Sequence, residues 1–365
     1  MKTIKFLSDE PWQKQFASSV RQRVNTYFKE KGISTKGNWT LYTQTGVMLL
    51  LYIAPFVIML LIPMSAWVGL LLVVIMGTGM AGIGMCVMHD AVHGSYSEKE
   101  WVNRLMGATM YLLGSNVFNW KIQHNVMHHA YTNIEGYDQD IAVSGLIRLS
   151  QFAPLKRIHR YQYIDAFFFY GLMTLSKLTR DFSQLARYNQ DGVTQKFHVN
   201  PTVEYAKMVA IKLAYLFVLV GLPILYTSFS WWQVIIGFLL MHWTAGCILS
   251  TVFQMAHVVE GAQQFEPDKD GIIPIEWAVN EVLTTSDFAR SNGFLNWFVG
   301  GLNFQIEHHL FPNICHVHYR RIAPIVEQTV KEYGLFYNLK PSFSSALASH
   351  VARLKELGQP PPQFE

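Results

Sequence analysis

Seven of the fourteen histidines in this 365-residue chain fall into three tight groups. His89 and His93 enclose Asp90, Ala91 and Val92. His124, His128 and His129 belong to a His-Asn-Val-Met-His-His run, and His308 and His309 close a Gln305-Ile306-Glu307-His308-His309 run. Spacing i,i+4 stacks two imidazoles on one face of an α-helix, close enough to share an ion. His129 lies about 100° further round such a helix than His128, so it can reach a second ion or another side of the first. One pair of this kind is weak ground for a metal site, because helical histidines also sit in cores with ordinary hydrogen bonds. Three groups in one chain, with no comparable polar clustering elsewhere, point to metal.

The elements that must position these rings are greasy. Half of the residues are hydrophobic and only 15% are charged, against about 25% in soluble domains. From Gly37 to His89 there is no Asp, Glu, Lys or Arg, and none from Leu213 to Val259. The first block holds two apolar runs, 41–61 and 65–88, parted by Ile62, Pro63 and Met64. The second divides near 227–230 into runs 208–226 and 231–256, with Trp231 and Trp232 where an interfacial aromatic belt is expected. Each run is about 20 residues, enough to cross a hydrocarbon core of about 30 Å as a helix. Nearly all Lys and Arg lie outside the blocks and their turns, which puts the remaining segments on the cytoplasmic side.

The expected architecture is therefore an all-α membrane protein. Four transmembrane helices form two hairpins, and a cytoplasmic helical cap holds a two-metal site. The segments read as 1–40 cytoplasmic, 41–88 hairpin one, 89–207 cytoplasmic and interfacial with the first two histidine groups, 208–256 hairpin two, and 257–365 cytoplasmic with the third group. The apolar stretches 105–118 and 164–175 are short for a span and read as amphipathic helices along the interface. The tail Gln359-Pro360-Pro361-Pro362 reads as an extended, solvated end.

His89 ends the second span and His257 ends the fourth, both on the cytoplasmic side, so His257 becomes an eighth candidate ligand. Eight imidazoles exceed the needs of one zinc, which takes about four ligands. Two ions in a nitrogen-rich shell fit better, though imidazole alone does not choose among iron, copper, zinc and nickel. Asp90, Asp138 and Asp140 are candidates to accept the second ring N–H of ligand histidines. His242, inside the fourth span, is left to hydrogen bonding between helices.

The three groups, in this order and around two hydrophobic hairpins, resemble the histidine boxes of the membrane fatty acid desaturase superfamily over about residues 40 to 325. Gln305 at the head of the third box is similar to the front-end desaturases, including the linoleoyl-CoA type, where many other desaturases carry histidine. The resemblance implies two non-haem irons as cofactor and O2 as oxidant. It implies a double bond placed in a fatty acyl chain, carried on CoA or on a phospholipid. Gln305 is a weaker ligand than the histidines and can act through a water. The chain has no His-Pro-Gly-Gly haem motif, so electrons are expected from a separate ferredoxin or cytochrome b5 with its reductase. A basic face with Lys156, Arg157, Arg160, Arg320 and Arg321 would suit an acidic donor or phospholipid. The expected location is a bacterial inner membrane.

Other readings stay open at this point. Acyl hydroxylases and carotenoid ketolases share the boxes and keep oxygen in the product. A zinc-dependent membrane hydrolase would need the Glu of His-Glu-x-x-His, where this chain has Asp90. A bis-histidine haem protein would need rings facing one another inside the bilayer. His316 and His318 are read as structural hydrogen-bonders, and Trp120, one turn before His124, as an interface anchor or a wall for the substrate chain. Cys86, Cys247 and Cys315 form no CxxC pair and read as small buried hydrophobes. The N-terminus has no secretory signal core, and no lipidation motif ends the chain. No dense basic run with interleaved aromatics supports nucleic-acid binding.

Overall fold

The computed structural model of the protein describes residues 4–142 and 145–360. The prolines expected to extend the tail beyond Pro360 lie outside the described residues. Four helices are long and apolar enough to cross a membrane: Trp39–Leu61, Ala66–Val92, Pro201–Tyr226 and Trp231–His257, the first to fourth spans below. They leave Leu50, Leu61, Trp67, Leu71, Leu213, Leu225 and Trp231 exposed on their outer faces. Water would penalise an apolar surface of that extent and hydrocarbon does not. The chain is a mainly helical membrane protein.

The span boundaries are set locally. Asn38 accepts from the Thr40 amide and Ser65 from the Val68 amide, satisfying otherwise orphaned N–H groups. Ser230 and Gln233 form a capping box at the start of the fourth span. The second span runs four residues past Met88, so it carries His89 in its last turn. The third begins at Pro201, seven residues before the apolar run, because Asn200 caps it and Pro201 suits a first turn.

The second span is the central one: 67% of its apolar window is buried, against 22% for the third span. It packs between the first and fourth spans. Its Gly77 lies against Met241 and Thr244, and its Gly84 against Leu249, so the second and fourth spans run side by side in one direction. That arrangement brings His89 and His257 out at the same end. The third span is tied on by polar contacts. Lys212 donates to Asp181 and to the carbonyls of Gly114 and Lys177. Tyr215 bonds the His242 ring, whose other nitrogen meets Thr174. His242 thus bonds between helices, as its position suggested.

The stretch 105–118 is not one helix. It is Glu100–Gly107, a 3-10 turn Ala108–Leu113, and a break at Gly114 (φ 71°) before Val117–Lys121. The stretch 164–175 is shared between helices Gln162–Gly171 and Met173–Gln190. Outside the spans, helix Pro11–Lys31 buries the stripe Phe16, Val20, Val24 and Phe28 against helix Tyr319–Glu332. Two short parallel pairings, Lys5–Phe6 with Ile272–Ile273 and Asp287–Phe288 with Leu339–Lys340, pin the segments before and after the third box.

Contact between the first two spans depends on a missing side chain. A Cβ on Gly79 would stand 2.7 Å from the Tyr52 amide nitrogen, so only glycine lets these backbones approach. Gly79→Ala is expected to destabilise the protein by about 1–3 kcal/mol. Gly46→Ala, where a Cβ meets open space, is expected to gain about 0.5–1 kcal/mol of helix stability. Thermal unfolding in detergent should move in opposite directions for the two.

Candidate metal centre

The first two boxes sit on or beside π-helical turns. The second span changes from α to π geometry over Ile83–Met88, just before His89. Helix Val117–Lys121 continues as a π-turn, Ile122–His128. The His129 amide donates to the His124 carbonyl at 3.0 Å, an i→i+5 bond. The structure differs here from the regular α-helix that the spacing suggests. The wider turn lets His128 and His129 flank His124, so all three rings face one centre. The His124 and His128 rings stack at 5.2 Å, and His129 meets His124 edge-on at 4.8 Å.

The third box is a short buried helix, Gln305–Leu310. The preceding turn is set by Gly300 (φ 60°), where a Cβ would stand 2.6 Å from the Met85 carbonyl in the second span's π-turn. Close approach there brings His308 beside His89, ring centres 4.6 Å apart. All eight candidate histidines come together. Ligand atoms of His89, His93, His124 and His308 lie within 4.8 Å of one another, and so do those of His128, His257 and His309. His129 forms a third such group with His308 and His309, between the other two. The Gln305 amide is 2.9 Å from His257 Nε2 and 3.3 Å from His309 Nε2.

The donor set fits metal. Ring nitrogens of His89, His93, His128, His129, His257 and His308 are buried without a hydrogen-bond partner among the described residues. Orphaned polar atoms of this kind are rare in folded proteins and costly. The His89 and His124 Nε2 atoms stand 3.1 Å apart, the separation expected of two cis ligands on one ion at bonds of about 2.1 Å.

Four of the rings are held through Nδ1 by groups around the cluster. His128 Nδ1 lies 3.0 Å from Asp138, and His124 Nδ1 lies 3.2 Å from Asp140. Glu281 takes His309 Nδ1 at 2.6 Å and accepts from Thr132, while His308 Nδ1 meets the Tyr319 hydroxyl at 3.0 Å. These contacts fix tautomer and ring plane. Asp90 does not join them. Neighbouring helix residues point about 100° apart, and its carboxylate faces away from the centre to His316 Nδ1 at 2.7 Å and the Cys315 thiol at 3.0 Å. His316 also reaches Gln44, and His318 reaches the Lys36 carbonyl. Both are hydrogen-bonded outside the cluster of eight. Trp120, half-buried, stacks on His124 at 4.4 Å. Glu281, Tyr319 and Phe253, whose ring lies 5.1 Å from His128, had no signal at box spacing. The one cue for Glu281 is a carboxylate set among apolar residues in 277–283.

The electrostatics favour neutral ligands. Burial, with the neighbouring rings, holds His93, His129, His308 and His309 well below the usual imidazole range. Burial acts the same way on His128, but Asp138, Asp140 and Glu281 outweigh it and raise the ring to about 9. Burial pushes Glu281 up to about 8 against the pull of Thr132 and Asn280. A metal at His128 would have to displace the proton that these carboxylates favour, Asp138 foremost among them. Asp138→Asn is expected to weaken metal retention by about 10–100-fold, measured as metal per protein after dialysis against a graded chelator series. Unchanged retention would remove Asp138 from the centre.

Residues 65–341 match the fatty acid desaturase family. The chain is 35% identical to an sn-1 linoleoyl-lipid 6-desaturase of Arthrospira platensis, over 94% of this chain and 92% of that one. It is 35% identical to the protein of that name from Synechocystis, over 94% and 96%. An acyl-lipid (8-3)-desaturase of Physcomitrium patens is 35% identical over 93% of this chain and 71% of its own length. The chain belongs to the fatty acid desaturase family.

Proposed function

We propose that this desaturase acts on acyl chains of membrane lipids, toward their carboxyl end, with two non-haem irons and O2. The observation that carries the reading is the convergence of eight histidines from four separate segments, with ring nitrogens left uncommitted. The names of the relatives, linoleoyl-lipid 6-desaturase and acyl-lipid (8-3)-desaturase, support a lipid-bound substrate over acyl-CoA. Electrons would come from a separate ferredoxin or cytochrome b5. The site and both ends of the chain would face the cytoplasm, in keeping with the uncharged turns at 62–64 and 227–230.

His89, His93, His124 and His308 would hold one iron, and His128, His257 and His309 the other. His129 would stand between them, and Gln305 would complete the second set through its amide oxygen or a water. When bound, iron with O2 supplies the oxidising power that no side chain has toward an unactivated methylene. Overall, two hydrogens leave the acyl chain, and two electrons and two protons from outside carry O2 to two waters. Asp138, Asp140, Glu281 and Tyr319 keep Nδ1 of their histidines occupied and so turn Nε2 to the centre. Trp120 and Phe253 wall the cluster with aromatic surface, which excludes water and gives an acyl chain an apolar face.

Expression in a host of known lipid composition, with a ferredoxin or cytochrome b5 supplied, tests this. Mass spectrometry of the lipids should show a new double bond in lipid-bound chains, reduced to background by His308→Ala. An oxygenated acyl chain, or turnover by His308→Ala near that of the parent, would overturn the reading.

A further inference from the structure

Helix Met173–Gln190 presents a polar stripe to the second box. Lys177, Asp181, Gln184 and Tyr188, at i, i+4, i+7 and i+11, share one face. Asp181 is engaged with Lys212 and the Asn116 amide. Lys177 is different: among the described residues no carboxylate lies within ion-pair distance of it. Its Nζ donates instead to Gln123 Oε1 at 2.6 Å, and Gln184 donates to the same oxygen at 3.0 Å. On its other side the Gln123 amide nitrogen donates to Asp140 Oδ1 at 2.5 Å, and Asp140 Oδ2 takes His124 Nδ1.

The donor and acceptor inventory makes this chain directional. An ammonium only donates and a carboxylate only accepts. An amide between them satisfies both in one orientation alone, with its oxygen toward Lys177 and its NH2 toward Asp140. Turning the amide over would set its oxygen against the carboxylate and its NH2 against the ammonium. Lys177, the shorter of the two donors to its oxygen, sets how Gln123 stands with Gln184 beside it, Gln123 fixes one oxygen of Asp140, and Asp140 fixes the His124 ring. A half-buried cation directed at an amide, while Asp181 and Asp140 nearby are each engaged by another partner, needs a reason beyond packing the helix.

We propose that Lys177 is a positioning residue: through Gln123 and Asp140 it holds the His124 ring in the orientation that keeps Nε2 on the metal. The inference rests on the ligand set given above. It also links the third span to the centre, since the Lys177 carbonyl accepts from Lys212.

The test uses full-length, iron-loaded protein in detergent. It records the rate at which a strong chelator removes iron, beside thermal unfolding of the metal-free form. Lys177→Met is expected to speed release about tenfold or more. Lys177→Arg, which keeps a cationic donor, should return release close to the parent rate. Asp140→Asn should speed release as well. The double variant should release no faster than Asp140→Asn alone, because both changes break one chain. Parent-rate release from Lys177→Met, with or without a lower unfolding temperature, would overturn the proposal, as would multiplying effects in the double variant. Should Lys177→Met not fold, Gln123→Met removes the same link and carries the same expectations. A parent protein that holds no iron would overturn the ligand set itself.

Discussion

Imidazole nitrogens that face one another in a dry interior repel or stay unpaired unless something between them accepts their lone pairs. Each unpaired buried polar atom costs about 1–3 kcal/mol. Six of the eight candidate ligand histidines carry such atoms, a cost on the scale of the about 5–15 kcal/mol by which proteins are stable at all. Two cations, as proposed, would satisfy the nitrogens of the cluster at once. Metal binding and folding would then be one equilibrium, and the rest of the architecture brings those nitrogens together and holds them.

The membrane helices do the gathering. The second and fourth spans run in parallel, so His89 and His257 emerge at one end. A π-turn in the second span meets the Gly300 turn that leads into the third box. Another π-turn faces His124, His128 and His129 to one centre. Carboxylates and a tyrosine on three other segments then fix the rings from behind. Apolar packing sets the approach of the backbones, and charge-assisted hydrogen bonds set the last orientation of each ring.

Much of this was legible in the order of residues. Spans of about 20 uncharged residues have few alternatives to a membrane, and three histidine boxes survive any small error in helix ends. His257 was found by its place at a span end. Asp138 and Asp140 stood out as acidic residues close after the second box. What was hidden follows from three-dimensional contact. Glu281 and Tyr319 lie 28 and 11 residues from the rings they hold, with no spacing rule to link them. The π-turns leave no mark, since His124, His128 and His129 suit either helix type. Asp90 is adjacent to His89 in sequence and so diverges from it around the helix, toward His316 and Cys315.

On the proposed reading, one buried cage of histidines holds two irons. Crystals of the iron-loaded protein, measured at the iron absorption edge, test it most directly. Two anomalous peaks are expected, one within bonding distance of His89, His93, His124 and His308, the other beside His128, His257 and His309. A single peak, or signal that appears only at the zinc edge, would contradict it.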